Sequence, residues 1–341
     1  MIKDLSTILL MCGVMYGQQA DFAKMDFHRA DSIAAVYKEE SLRNLPLLAY
    51  QLTSSLPTKI EKFRAIYTWV STNIDNDYTY YLRNKRKREK FANDSLALIT
   101  WNNSFQSKVF EKLLKEQKTI CTGYAYILRE LASMVDINCK IIDGYARTTT
   151  ANISEPGTPN HSWNAVEIDH TWYLCDATWS SGSFEQSAHS FKFIRNYNDS
   201  YFLTDPALFS KDHYPLDTAW LLMDSKPELS QFLNAPLIYK NAYDHQVIPL
   251  EPKEMNFQVA KNDLITFLCK ASEDVGLEDV TVEIVSGIKN LTKKPMVFRN
   301  NDRTLSITHK FEILGYYDVH IKIKDDYVAS YTVRVKKKNR S

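Results

Sequence analysis

An amphipathic stretch with a cysteine at its start constrains this chain more than any other feature. In ICTGYAYILRELASMV, residues 120–135, the apolar side chains Tyr124, Ile127, Leu128, Leu131, Met134 and Val135 recur at helical spacing. Thr119 is expected to cap this helix, which puts Cys121 in its first turn. Unpaired backbone N–H groups and the positive end of the helix dipole favour thiolate over thiol there. Gly123 is expected to leave room for a substrate backbone. Free cysteines are more often small buried hydrophobes, so the helix alone marks a candidate nucleophile and no more.

Two runs downstream supply partners for it. HSWNAVEI opens with His161, and TWYLCDATW carries Asp176; both alternate and are rich in aromatic and β-branched residues, joined through Asp169 and His170. Folded as a hairpin, they bring His161 and Asp176 together on adjacent strands. A thiol, an imidazole and a carboxylate that orients the ring are the parts of an activated nucleophile.

The motifs C-x-G-Y-A (from Cys121), G-Y-A (Gly144 to Ala146), H-x-W-N (from His161) and W-Y-x-x-D-A-T-W (Trp172 to Trp179) resemble the signature of the transglutaminase-like superfamily of papain-like thiol enzymes. The kyphoscoliosis-peptidase branch is the nearest resemblance. AIYTWVSTNIDND and the later YFLTDP…F…H-x-P…W-L-L also resemble that branch. The resemblance implies Cys121, His161 and Asp176 as a catalytic triad for amide acyl transfer through a thioester. It departs from the pattern at Thr119 and His170, both at positions where glycine is common. His tolerates a positive φ better than most residues, so the turn survives.

Around the triad, the Cys121 backbone N–H is expected as one oxyanion donor, an interaction worth about 2.7–4 kcal/mol. Gln106 is a candidate for a side-chain donor, and Thr122, Gly123 and Trp163 are the other residues expected near substrate or oxyanion. Trp172, Trp179, Trp69 and Ile74 read as core. His213 reads as a structural hydrogen-bonder rather than a second base.

The chain has 341 residues, enough for about two domains. The fold class expected is α+β: a helical N-terminal part and a papain-like, transglutaminase-like core over residues 21–235. From Pro236 to Ser341 short alternating strands broken by turns predict an immunoglobulin-like β-sandwich. Before all this, Lys3 and the apolar run from Leu5 to Gly17 read as a signal peptide over residues 1–20, cut after Gly17 or Ala20. Met11 is larger than a lipid-attachment site accepts, so no anchor at Cys12 is expected. The expected location is therefore secreted or periplasmic, with no integral membrane segment in the mature chain.

A net charge of +1 gives no general reason to expect a nucleic-acid partner. The run RNKRKREK, residues 83–90, lacks interleaved aromatic platforms and reads as a solvated surface. Neither CxxC nor HExxH occurs, so no metal or cofactor is expected. Cys139 and Cys175 are open to two readings, a disulfide or two buried thiols. Three functions fit: a thiol peptidase acting on protein or peptide, which is preferred because water is the default acceptor; a protein-glutamine transglutaminase with a lysine amine as acceptor; and a silent binding or scaffold protein that retains the triad. Oligomeric state is not legible.

Overall fold

The computed structural model describes residues 19–338, apart from 23, 149–152, 154–156, 187–190 and 288. The expected signal segment lies outside the described residues but for its last two positions. The fold is α+β, with a helical N-terminal part, a four-stranded sheet and a C-terminal sandwich.

Seven helices come first: α1 (Gln19–Phe22), α2 (His28–Val36), α3 (Leu45–Thr53), α4 (Lys59–Asn73), α5 (Tyr78–Lys90), α6 (Ser95–Glu116) and α7 (Cys121–Ser133). Thr58 and Glu61 close a reciprocal capping box at the start of α4. Ile60, Phe63, Ile66, Tyr67, Trp69, Val70 and Ile74 are then all buried. Two short parallel strands, β1 (Asp75–Asn76) and β2 (Lys118–Thr119), tie the end of α4 to the entrance of α7.

A four-stranded antiparallel sheet packs on α7. Its strands are β3 (Cys139–Ala146), β4 (His161–Ile168), β5 (Thr171–Cys175) and, after a separate hairpin of β6 (Gly182–Gln186) with β7 (Phe191–Arg195), β8 (His213–Pro215); the order is β5-β4-β3-β8. Period-two alternation sorts the β4 side chains by face. Val166 and Ile168 join Tyr124, Ile127, Leu128 and Leu131 in one core. Trp163 and Ala165 face a second core, built partly from the C-terminal domain. Both turn residues between β4 and β5, Asp169 and His170, have positive φ (49° and 66°), as a tight hairpin requires.

The sandwich has two sheets. One contains Ile248–Glu251, Leu264–Lys270, Met296–Arg299 and Thr304–Lys310; the other contains Asn256–Ala260, Val280–Ser286, Lys289–Lys293, Gly315–Ile323 and Asp326–Lys336, with Leu237–Ile238 added to the last. Asn256–Ala260 pairs in parallel with Asp326–Lys336, while the other pairs are antiparallel. Phe267, Cys269 and Ile307 from the first sheet meet Val319, Tyr331 and Val333 from the second. Among the described residues no helix is long and apolar enough to cross a membrane.

Candidate active site

The chain enters α7 through Ile120, the N-cap, which makes no side-chain capping bond. Thr119 does not cap, contrary to expectation. It is buried in β2, where its carbonyl accepts from the Asp77 N–H at 2.7 Å. Its side chain meets Gly123 instead: an ideal β-carbon on Gly123 would lie 1.9 Å from Thr119 Oγ1. Gly123 is buried, and the room it provides is filled by Thr119 rather than left for substrate. Met134, expected on the apolar face, is 41 % exposed because the helix ends at Ser133.

Cys121 is a partly exposed free thiol at the first residue of α7. His161 begins β4, and Asp176 follows β5 directly. Nε2 of His161 lies 2.7 Å from Asp176 Oδ2. His161 is also the neighbour that acts most strongly to lower the Cys121 thiol, and with Nε2 held by Asp176 its Nδ1 is the ring atom left for the sulfur. The expected His161–Asp176 pair is thus hydrogen-bonded, with Cys121 close enough for His161 to lower its thiol.

The rest of the Asp176 carboxylate is equally occupied. Its Oδ1 accepts from the backbone N–H groups of Thr178 (2.8 Å) and Trp179 (3.2 Å), so Asp176 caps the short helix Ala177–Ser181. The D-A-T-W motif thus has a physical basis. The aspartate caps the turn, and the turn sets the Trp179 ring 5.1 Å from the His161 ring. Oδ2 is also 3.2 Å from Nε2 of His213, whose Nδ1 is 2.6 Å from Asp212 Oδ1; the Tyr243 hydroxyl donates to that same oxygen. His213 is fully buried and acts as a hydrogen-bonder, as the sequence suggested.

Burial raises the free energy of every charge here, and the partners decide the outcome. Burial drives Asp176 upward, but the charges and hydrogen bonds of His161 and His213 hold it well below the usual carboxylate range. Burial lowers His161, but the Asp176 charge outweighs it and lifts the imidazole to about 10. For Cys121 burial pushes upward, and the bond and charge of His161, with the Ser162 N–H, bring the thiol below its ordinary value. All three directions favour a thiolate–imidazolium pair. By contrast, burial pushes Cys139 up to about 12 and raises Cys175 well above the ordinary thiol range, and both are free thiols rather than a disulfide.

A cleft of about 250 Å³ opens at this site, lined by Gln106, Thr122, His161 and Ser162 among others. Gln106 is exposed on α6 and faces this cleft; Thr122 Oγ1 stands 3.5 Å from Ser162 Oγ. Trp163 does not reach it. It is 1 % exposed, lies behind His161 with ring centroids 6.1 Å apart, and packs on Phe209 and His213. Its alternation was legible, but the layer covering that face comes from residues far along the chain. Arg88, unremarked in the basic run, does line the cleft.

His161, Asp176 and His213 present ligand atoms within 4.8 Å of one another. The 2.7 and 3.2 Å spacings are those of N–H groups donating to Oδ2. Hydrogen bonding accounts for this cluster without an ion.

A thiol at a helix start, paired with a strand-borne imidazole and a helix-capping carboxylate, defines a transglutaminase-like thiol core. Residues 47–177 match the transglutaminase-like superfamily, and the chain carries a transglutaminase-like domain of that superfamily. Its relatives include kyphoscoliosis peptidases. The chain is 24 % identical to the Homo sapiens kyphoscoliosis peptidase over 306 residues, covering 89 % of this chain and 42 % of that one. It is 25 % identical to the Mus musculus kyphoscoliosis peptidase over 291 residues, 85 % of this chain and 40 % of that one. It is also 25 % identical to Drosophila melanogaster hillarin over 228 residues, 63 % of this chain and 25 % of the relative. The chain thus spans about two fifths of the kyphoscoliosis peptidases it matches.

Proposed function

We propose that this protein is an exported thiol peptidase that cleaves amide bonds in protein or peptide substrates through a thioester. The observation that carries the reading is His161, held by Asp176 at 2.7 Å and acting to lower the Cys121 thiol at the start of α7. Proton transfer between thiol and imidazole is the chemistry amide cleavage needs. His161 Nδ1 takes the Cys121 proton, Asp176 holds the ring in the tautomer with Nε2–H, and the sulfur attacks the carbonyl carbon. His161 Nδ1 then protonates the leaving amine, and water attacks the thioester to return free thiol and a carboxylic acid. The Cys121 N–H, at the first helical position, has no intrahelical acceptor and supports the oxyanion. Gln106, which lines the cleft, is the side-chain candidate to join it. The peptidase names of the relatives support hydrolysis over amine transfer. Export rests on the apolar N-terminal run from Leu5 to Gly17.

The test is incubation with a peptide library, with and without a labelled primary amine, read by mass spectrometry. Hydrolysis that disappears in Cys121→Ala is the expected result. Incorporation of the amine at glutamine without hydrolysis would replace the peptidase with a cross-linking enzyme, and activity retained in Cys121→Ala would move the nucleophile elsewhere.

A further inference from the structure

The basic run on α5 does not all face solvent. Lys85 and Arg86 are exposed, and Arg83 and Lys87 stand over the Trp101 ring, at 5.9 and 5.6 Å from its centroid. Arg88 is different. Tyr81, Asn84 and Arg88 fall at i, i+3 and i+7, one helical face, and all three are half-buried. Asn84 and Arg88 line the same cleft as Gln106, Thr122 and His161.

Arg88 Nε is buried and has no hydrogen-bond partner among the described residues, and Arg88 forms no ion pair there. A guanidinium stays charged and offers five donors in a planar fork that fits a carboxylate. Leaving such a donor unpaired is costly, and a ligand oxygen would remove that cost. Two acidic groups act on it electrostatically. One is Cys121, the nucleophile itself; the other is Asp143, across the cleft, whose Oδ1 is already taken by the Ser162 hydroxyl at 2.6 Å. A half-buried cation thus lines the same cleft as His161, and its Nε lacks an acceptor among the described residues.

We propose that Arg88 is the substrate-selecting residue of this cleft, binding a carboxylate that lies beside the scissile amide of a peptide. This rests on Cys121 being the nucleophile, and it adds the substrate class. Two sources can supply the group: an Asp or Glu side chain near the cleaved bond, or the free C-terminus of a short peptide.

Alkylation of Cys121 separates this inference from the reading it rests on. Iodoacetate carries the carboxylate and iodoacetamide is its neutral counterpart, so the ratio of their rates cancels any change in thiolate population. Relative to glutathione, the wild-type ratio is expected to favour iodoacetate and to fall as salt is added. Arg88→Gln should lower the iodoacetate rate about fivefold to tenfold, the scale of a partly screened charge pair, and the iodoacetamide rate less than twofold. Arg88→Lys should keep most of the preference. An unchanged ratio in Arg88→Gln, or a wild-type ratio equal to that of glutathione, overturns the role of Arg88. Cys121 reacting no faster than Cys139 with either reagent overturns the nucleophile instead. With peptides, an acidic side chain beside the cleaved bond, or a free rather than amidated C-terminus, should raise kcat/KM in wild type but not in Arg88→Gln; whichever does so identifies the source. Cleavage indifferent to both overturns the proposal.

Discussion

Nε2 of His213 lies 3.2 Å from Oδ2 of Asp176, the oxygen that holds His161 at 2.7 Å. One carboxylate oxygen therefore serves two imidazoles. The second ring is fixed in turn by Asp212, and Asp212 by the Tyr243 hydroxyl. His213 touches neither the thiol nor the cleft, so it positions rather than reacts. His213→Gln keeps a donor for Asp176 but leaves Asp212 with one partner fewer. The expected result is a loss of stability of about 1–3 kcal/mol, with kcat down on the order of tenfold and KM nearly unchanged. Equal loss in kcat and KM would mean that the substitution merely distorts the cleft.

The pH profile follows from the same residues. His161 is lifted to about 10 and Cys121 is held below its ordinary value. Activity should be bell-shaped, with its acid limb below the normal thiol range and its alkaline limb near 10, where the imidazolium loses the proton that the leaving amine requires. The sign for stability differs between partners. The raised His161 stabilises fully below its unfolded value of about 6.5 and loses that contribution as pH climbs through about 10. The depressed Asp176 stabilises above about 3.9 and loses its share as pH falls through its lower native value. Asp176→Asn should therefore move the alkaline limb of the rate profile downward and flatten the acid side of the stability curve. A rate profile that stays put would show that another group sets the His161 proton.

Gly123 tests the packing that places Cys121. Substituting alanine for glycine within a helix normally gains about 1 kcal/mol. Here the new β-carbon would strike Thr119 Oγ1 at 1.9 Å and Thr119 Cβ at 2.8 Å. Gly123→Ala is expected to destabilise by about 1–3 kcal/mol instead. Adding Thr119→Ala removes the hydroxyl but not Cβ, so the double variant should recover part of the loss. Thermal melting reads both, and a stable Gly123→Ala would place Thr119 elsewhere.

How much of this was legible in the sequence depends on where each neighbour lies in the chain. The placement of Cys121, and of His161 beside Asp176, was legible because each rests on one local element. A helix start presents Cys121, and a short hairpin sets His161 beside Asp176, so period and turn chemistry suffice. Trp163 was not, since the face of β4 it occupies is closed by residues near 209 and beyond 237, and alternation says which side but not what covers it. Thr119 looked like a cap because threonine often is one, but pairing with β1 claimed it first. In the sandwich the five central strands alternate clearly. Ile248–Glu251 and Met296–Arg299 are four residues each, too short for an alternating period to be read, and Met296–Arg299 is half exposed as well. Arg88 was hidden by composition, since a run of like charges masks the one side chain that turns inward.

The C-terminal sandwich is packed against the sheet that carries His161. One continuous core runs from Trp163 and Phe209 through Tyr201, Tyr243 and Ile248 to Phe267, Tyr331 and Val333. The chain crosses this boundary at Leu237–Ile238, already hydrogen-bonded to Ala329 and Ser330. A shared apolar core couples the unfolding of its parts, because exposing either half uncovers the other. Calorimetry should therefore show one transition rather than two. Phe267 is fully buried, its ring 4.9 Å from that of Tyr331, and Phe267→Ala should cost about 3–5 kcal/mol. That loss should appear equally in sandwich signals and in the reactivity of Cys121, although Phe267 belongs to the other domain. Two separated transitions, with Cys121 unaffected, would mean that the sheet behind His161 stands without the sandwich.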